Sequence, residues 1–226
     1  MDWEALFLTL RLDLVVCVLL LTIGVPVAYW LAFSRWRWKF LLDAVVALPL
    51  VLPPTVLGFY LLIAMGQRSP LGRVYGWTWG HGLAFTFPGL VLASIVYSLP
   101  FMVQPVSAAF AAVDPKVISA SDVLGASRVT TFFRVIMPLS WSGLLAGLVL
   151  TFAHTLGEFG VVLMVGGNIP GVTRTVSVSI YDNVQALDYA SAARMSLLLL
   201  ITSFLILAAV YSTNRRGSMV WPARRS

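Results

Sequence analysis

Long apolar stretches that are almost free of charged residues dominate this sequence and constrain its fold. A helix needs about 20 mostly apolar residues to cross the hydrocarbon core of a bilayer. Five stretches approach or exceed that length: residues 14–33, 40–65, 83–113, 139–166 and 195–211. Because lipid offers the backbone no hydrogen-bond partners, such stretches cross as helices. The sequence therefore predicts an all-α fold, a single-domain polytopic membrane helical bundle over residues 1–226 with about five transmembrane helices.

Composition agrees with a membrane protein and disfavours other classes. Apolar residues make up 59% of the chain and charged residues 11%, whereas soluble domains carry about a quarter charged residues. The net charge of +6 comes from short basic clusters between the apolar stretches, so nucleic-acid binding is not expected. Cys17 is the only cysteine and His81 is remote in sequence from His154, which predicts neither a metal site nor a cofactor.

Prolines occur within the second and third apolar stretches. Each proline removes a backbone donor and should kink or interrupt its helix. The residues are Pro49, Pro53 and Pro54 in the second stretch and Pro88, Pro100 and Pro105 in the third. Two interpretations of these bends remain open: they are packing kinks, or they line a transport pathway.

The distribution of lysines and arginines predicts the orientation of the bundle. Ten flank one side: Arg35, Arg37, Lys39, Lys116, Arg128, Arg134, Arg215, Arg216, Arg224 and Arg225. Five flank the other side: Arg11, Arg68, Arg73, Arg174 and Arg194. Because basic residues concentrate on the cytoplasmic side of membrane proteins, we expect the N-terminus outside and the C-terminus in the cytoplasm.

Residues 114–138, between the third and fourth stretches, carry helical signals of their own. Asp114 followed by Pro115 is typical of an N-cap and a first helical turn, and Gly125 predicts a left-handed helix end. A second apolar pattern consists of Val129, Phe132, Phe133 and Ile136. Pro138 should mark its end. The two short helices either lie in the headgroups or on the bundle, or dock into a groove on a cytoplasmic partner.

The spacing in this segment resembles the EAA loop of ABC importer permeases. That loop reads E-A-A, three residues, G, nine residues, I-x-L-P, and Ala120, Gly125 and Pro138 match it. Ser119 and Ser121 depart from the usual glutamate and alanine. The resemblance implies a coupling helix that sits in a cleft of a cytoplasmic ABC ATPase subunit. The coupling residues that it implies are Ser119, Ala120, Ser121, Asp122, Gly125, Ala126 and Pro138.

Other motifs resemble the molybdate permease subunits of ABC importers. They are residues 48–54 (LPLVLPP), 155–160 (TLGEFG), 168–171 (NIPG) and 173–175 (TRT). The resemblance covers nearly the whole chain. It implies a permease for molybdate or tungstate in the cytoplasmic (inner) membrane of a prokaryote, present as a homodimer with ATPase subunits and a periplasmic or extracellular oxyanion-binding protein. A sulfate or thiosulfate permease is the alternative, because those permeases are similar at GEFG.

Several polar residues and glycines are candidates for a pathway or gate. They are Thr155, Gly157, Glu158, Gly160, Asn168 and Arg174. Glu158 has the wrong charge for binding an anion, so we expect a hydrogen-bonded structural or gating residue, with the flanking glycines allowing close helix approach. His154 is expected to be a hydrogen-bonded histidine within the bundle. Arg174 either guides the anion or contacts a substrate-delivering protein.

Two other classes of membrane protein provide the rival interpretations. The sequence has no Gly-Lys-Ser/Thr motif, so any ATPase must be a separate chain and this subunit is not itself an enzyme. A stand-alone carrier or channel would usually show paired intramembrane charges or internal repeats. A membrane enzyme is disfavoured by the absence of a recognisable catalytic motif.

Overall fold

The computed structural model describes residues 2–218 and, of their side chains, those of residues 2–211. Every regular element in this part of the chain is helical. Within the described residues, three helices are long and apolar enough to cross a membrane: α1 (Trp3–Phe33), α5 (Phe87–Ala111) and α12 (Tyr189–Ser218), whose apolar part is Tyr189–Tyr211. The remaining helices are α2 (Lys39–Val51), α3 (Pro54–Met65), α4 (Pro70–Trp79), α6 (Pro115–Val123), α7 (Arg128–Thr131), α8 (Met137–Leu139), α9 (Trp141–Gly157), α10 (Gly160–Gly166) and α11 (Val176–Gln185).

In this part of the chain, counting each of two bent helix pairs as one span brings the number of candidate spans to five. The α2–α3 pair bends by 114°, and the helix 128–139 meets α9 at 73°. The all-α bundle with about five spans is therefore confirmed. Of the basic residues that predicted its orientation, Arg224 and Arg225 lie outside the described residues.

The core forms where α5 packs between α1 and α9. Small residues let the helices approach closely, as is common in membrane bundles. A Cβ on Gly24 of α1 would lie 2.9 Å from Met102 Cγ, and a Cβ on Gly143 of α9 would overlap with Ala109 Cβ. Larger side chains at these glycines would force the helices apart.

Proline has different effects in the two apolar stretches that contain it. Leu52 is extended and α3 begins at Pro54, because two consecutive prolines remove donors and disfavour helix in the preceding residue. The predicted interruption is thus confirmed in the second stretch. In the third stretch α5 continues through Pro100 and Pro105. Packing against α1 and α9 holds that stretch helical, so of the two predicted effects, a kink or an interruption, the interruption does not occur there.

The first helix is longer than the apolar stretch that predicted it. It begins at Trp3, where the Asp2 carboxylate accepts a hydrogen bond from the Ala5 N–H at 3.0 Å. Because this N-cap starts the helix early, the charged residues that precede the apolar stretch also lie within α1. Asp13 is fully buried within α1, and the Arg11 guanidinium lies 4.5 Å from the centre of the Phe87 ring.

Candidate functional site

The segment 114–138 begins with a well-formed helix and a glycine stop. Asp114 accepts a hydrogen bond from the Lys116 N–H at 2.8 Å. At the other end of α6, Gly125 has φ +77°. Its N–H donates to the Asp122 carbonyl while the Ala126 N–H donates to the Ser121 carbonyl, which is the Schellman pattern of helix ends. The predicted helix and its left-handed stop are confirmed.

Helix α6 has no buried residue. Val117 and Val123 of α6 and Leu124 at its C-cap are 43%, 87% and 86% exposed, and Val129 and Phe133 further along are 67% and 59% exposed. An amphipathic helix normally buries its apolar side against its own protein. This surface, defined here as the α6 apolar surface, is therefore left uncovered within the described chain.

The second short helix divides its apolar residues between the bundle and the outside. Phe132 packs edge-on against Tyr29 and Phe110, with ring centres 5.1 and 5.9 Å apart, and Ile136 is 2% exposed. The hydroxyls of Ser121 and Thr131 lie 2.9 Å apart and join α6 to α7. The segment is thus anchored on the bundle through its second half and through Ile118 of α6, whereas the other apolar side chains of α6 stay exposed.

A widened turn and a bend connect this segment to α9. Residues Phe132–Ile136 form a π-helical turn. It precedes Pro138, which has no N–H and whose ring would clash with the Arg134 carbonyl in a regular helix. Pro138 was expected to mark the helix end, but the chain stays helical to Leu139 and bends at Ser140 instead. Ser140 Oγ donates to the Ala109 carbonyl of α5 at 3.2 Å.

The predicted coupling residues all lie within the segment 114–138. Ser119, Ala120, Asp122, Gly125 and Pro138 are exposed, whereas Ser121 and Ala126 are half-buried. Ser119 Oγ donates to the Pro115 carbonyl of its own helix at 2.9 Å. The acidic residue that the EAA pattern usually places there is therefore replaced by a side chain that bonds locally.

A second break, at Glu158 and Phe159, separates α9 from α10. Glu158 is 7% exposed, and its Oε1 accepts a hydrogen bond from the Val161 N–H at 2.7 Å. The expectation of a hydrogen-bonded Glu158 is confirmed. The carboxylate satisfies the free N–H groups at the start of α10, as a capping side chain does at other helix ends.

The breaks in the second and fourth stretches meet each other. A Cβ on Gly160 would lie 2.7 Å from Pro54 Cβ, and one on Gly58 would lie 2.8 Å from Met164 Cβ. Gly160 thus allows the close helix approach that was expected of it. Gly157 does not, because a Cβ there would meet nothing within 4 Å.

A polar cluster joins α5 to α9 one turn before the break. Ser98 Oγ lies 3.0 Å from His154 Nδ1 and 3.0 Å from Thr155 Oγ1. The imidazole stacks on Phe101 with ring centres 4.0 Å apart and contacts Tyr97 at 4.6 Å. His154 is therefore hydrogen-bonded within the bundle, as expected, and the buried Thr155 belongs to the same cluster.

Arg174 and Asn168 belong to a separate network near the N-terminus of α1. The Arg174 guanidinium lies 3.7 Å from Asp2 Oδ2 and 3.3 Å from Asp182 Oδ2, and its Nε donates to Asn168 Oδ1 at 2.6 Å. The Asn168 amide donates to Asp182, and Ser179 Oγ donates to Asp2 Oδ2 at 3.1 Å. The arginine that was expected to meet an anion or a delivering protein is occupied by two carboxylates of its own chain.

Sequence reasoning missed the partners in both networks. Asp2 shows only a helix-capping signal, and nothing in the sequence connects it to Arg174. Ser98 lies in the third apolar stretch, which was noted only for its lack of charge and its prolines. Among the described residues, no group of three or more His, Cys, Asp or Glu side chains is arranged to hold a metal ion.

The chain resembles a known protein family and solved structures. Residues 24–216 match the family model described as "Binding-protein-dependent transport system inner membrane component". A solved bacterial ABC transporter involved in import of the acidic polysaccharide alginate has a chain that superposes with TM-score 0.76. The superposition covers 94% of this chain and 78% of that one at 17% identity, so it shows a shared fold.

Curated relatives resemble the chain over nearly its whole length. The "Molybdenum transport system permease protein ModB" of Azotobacter vinelandii is 51% identical over 214 residues, covering 95% of each chain. Its namesake from Escherichia coli (strain K12) is 41% identical over 81% of this chain and 80% of its own length. A "Probable sulfate transport system permease protein cysT" of Zygnema circumcarinatum is 33% identical over 96% of this chain and 74% of its own length.

Proposed function

This chain belongs to the family of binding-protein-dependent transport system inner membrane components, and we propose that it forms the pathway for molybdate or tungstate in an ATP-driven importer. Relatives named for molybdenum transport support the substrate, at 51% and 41% identity. The relative named for sulfate transport is less similar, at 33%. Sulfate transport is therefore the second candidate.

The uncovered α6 apolar surface is the observation that carries the proposal. It lies at the position of the EAA pattern, on a helix with no buried residue. A short helix with an apolar side is marginal in water by itself, so a cover is needed. A groove on a separate ATPase subunit would supply one.

The anchor of this segment offers a mechanical route to the pathway. Force on α6 would pass through the Ser121–Thr131 contact to the π-helical turn, and through the bend at Ser140 to α9. Helix α9 ends at the Glu158 break, where α10 meets α3. Closure of the ATPase would thus reach the junction of the two breaks.

The remaining partners and the orientation follow from the same proposal. Two copies enclose the pathway, and an oxyanion-binding protein delivers the anion from outside. The α6 end of the bundle faces the cytoplasm, whereas the N-terminus and the Arg174 network face outward. A second solved structure with the same fold is that of a bacterial alginate ABC transporter in complex with an alginate pentasaccharide-bound periplasmic protein. That complex supports delivery by a binding protein.

Binding of the ATPase subunit tests the docking role of the α6 apolar surface. We expect Leu124→Asp to abolish co-purification of the ATPase, because it places a charge in the centre of the docked surface. Leu187→Asp is the matched control: Leu187 is 71% exposed outside the segment and has φ +60°, a conformation that aspartate tolerates. Unchanged binding by Leu124→Asp would contradict the proposal.

Uptake into proteoliposomes tests the substrate and the energy source. With the ATPase and binding protein present, molybdate uptake should require ATP and be inhibited by tungstate at lower concentration than by sulfate. Equal inhibition by sulfate would favour the second candidate. Flux through the purified chain without the ATPase would favour a stand-alone carrier or channel.

A further inference from the structure

An arginine lies among exposed apolar side chains on one side of α1. Trp3, Phe7, Leu14 and Val18 are 58%, 73%, 67% and 51% exposed, and Arg11 is exposed between them. Because successive members of this set are three or four residues apart, all five share one side of the helix. The opposite side of α1 packs against α5 and α9. A cation on the outward, apolar side of a membrane-spanning helix needs a partner.

We propose that Arg11 binds the phosphate of a membrane phospholipid, and that this side of α1 is a specific lipid site. The ligand class is a glycerophospholipid. Its phosphodiester meets the Arg11 guanidinium, and its acyl chain follows Leu14 and Val18. This inference goes beyond transport and does not depend on which anion is carried.

The Arg11 guanidinium offers donors that the chain itself leaves free. Within the described residues, no carboxylate lies at ion-pair distance from Arg11, and no acceptor is hydrogen-bonded to it. The guanidinium carbon lies over the Phe87 ring, 4.5 Å from its centre. The ring covers one face of the guanidinium, and the N–H groups at its edge remain available. Paired N–H groups of this geometry match two oxygens of a phosphate.

A cavity of about 470 Å³ adjoins this guanidinium. Its lining residues are Trp3, Glu4, Phe7, Leu8, Arg11 and Gly171. Glu4 lies seven residues nearer the N-terminus, about 10 Å along the helix, and it forms no ion pair with Arg11 in the described structure. Since the Glu4 carboxylate would repel a further negative charge, we expect a zwitterionic headgroup that carries an amine.

The position of Arg11 along α1 matches the level of lipid phosphates. Arg11 lies 22 residues before Phe33, the last residue of α1, which corresponds to about 33 Å of helix. Exposed Trp30 and Trp36 indicate a membrane interface at the Phe33 end. Because the hydrocarbon core is about 30 Å thick, Arg11 lies at its opposite boundary. Side chains of a helix lean toward its N-terminus, so the guanidinium extends out of the core toward the phosphates.

The surroundings favour a lipid over a free anion. Phe7 on one side of Arg11 and Leu14 and Val18 on the other present apolar surface that a hydrated ion would leave exposed to water. A phospholipid covers this surface with its acyl chain and pairs the arginine with its phosphate. Both requirements of the site are therefore met by one molecule.

Binding of a defined lipid tests the inference. Native mass spectrometry of the transporter purified in detergent can follow a titration with phosphatidylethanolamine. We expect Arg11→Leu to weaken binding about tenfold, because a charge-assisted contact is lost. Arg73→Leu is the matched control, since Arg73 on α4 is also exposed and makes no ion pair in the described structure. Equal binding by the wild type and Arg11→Leu, or equal loss in both variants, would overturn the proposal.

Fluorescence quenching locates the bound lipid. In a Cys17→Ala background, a fluorophore on Leu14→Cys should be quenched by trace phosphatidylethanolamine that carries a spin label on its acyl chain. Adding Arg11→Leu should remove most of this quenching. Leu200→Cys on α12, at a position that is 64% exposed, is the control site, where Arg11→Leu should change nothing.

Three results of the quenching experiment would overturn the proposal. Quenching at Leu14→Cys that persists in Arg11→Leu would show contact with bulk lipid only. Quenching that inorganic phosphate or molybdate reverses would show that Arg11 binds a free oxyanion. An absence of quenching at Leu14→Cys while Leu200→Cys is quenched would show that another protein surface, such as a second copy of the chain, covers this side of α1.

Discussion

The Arg174 guanidinium lies between Asp2, which caps α1, and Asp182 of α11. Both contacts are partly exposed, with 26–37% of the side chains accessible. Ion pairs of this kind contribute little individually, but the arginine also binds Asn168 and keeps two carboxylates from facing each other unpaired. At the scale of the residue, Arg174 therefore acts as a clamp that joins the N-terminus of α1 to α11.

We predict that Arg174→Gln lowers stability without changing anion preference. Its removal leaves the two carboxylates without their shared cation, at a cost on the order of 1–2 kcal/mol. Thermal unfolding of the purified protein should show the loss, and uptake competition between molybdate and sulfate should show unchanged preference. Arg73→Gln is the control, since Arg73 is exposed on α4 and makes no ion pair in the described structure. A changed anion preference at unchanged stability would make Arg174 a pathway residue instead.

At the scale of the element, helix α6 ends at a single glycine, and substituting this glycine tests whether the orientation of α6 matters for ATPase binding. Gly125 has φ +77°, where a β-branched side chain is strained and asparagine is tolerated. We predict that Gly125→Val weakens ATPase binding about tenfold or more, because the α6 apolar surface loses its orientation, whereas Gly125→Asn keeps most of it. Direct binding measurements with the purified ATPase provide the readout.

Gly80 offers a matched control for backbone strain. It ends α4 with φ +73°, and a Cβ there would also meet nothing within 4 Å. Gly80→Val therefore imposes the same kind of strain in an element outside the proposed coupling segment. Equal loss of ATPase binding in Gly80→Val and Gly125→Val would show a general folding defect and contradict the prediction.

Elements with local sequence signals could be predicted from the sequence. Features that depend on tertiary contacts could not be predicted in this way. Asp114, Pro115 and Gly125 encode a helix with its cap and stop in adjacent residues, and α6 follows them closely. The course of α5 through Pro100 and Pro105 depends on packing against other helices, which a proline pattern does not reveal. The Arg174–Asp2 clamp joins positions that are far apart in the sequence, so no local spacing predicts it.

At the scale of the whole molecule, the two interrupted stretches meet between the α6 apolar surface at one end of the bundle and the Arg174 network at the other. The α3–α10 contact at Pro54 and Gly160 joins the first residues of two helices, each directly after a break in its stretch. Helix ends of this kind can move more readily than the middle of a continuous helix, because fewer backbone hydrogen bonds must break. In the proposed coupling, the ATPase acts on this contact through α6. The α6 end of the bundle must therefore lie on the same side of the membrane as the ATPase.

The orientation of the bundle is the last prediction, and it decides whether the α6 apolar surface can meet an ATPase at all. Cys17 is buried, so introduced thiols can be labelled selectively. Ser119 and Leu187 are both exposed, on α6 and between α11 and α12. In intact cells, an impermeant thiol reagent should label Leu187→Cys and should reach Ser119→Cys only after the membrane is opened. The reverse pattern would place α6 outside, where no ATP is available, and the importer mechanism would be excluded.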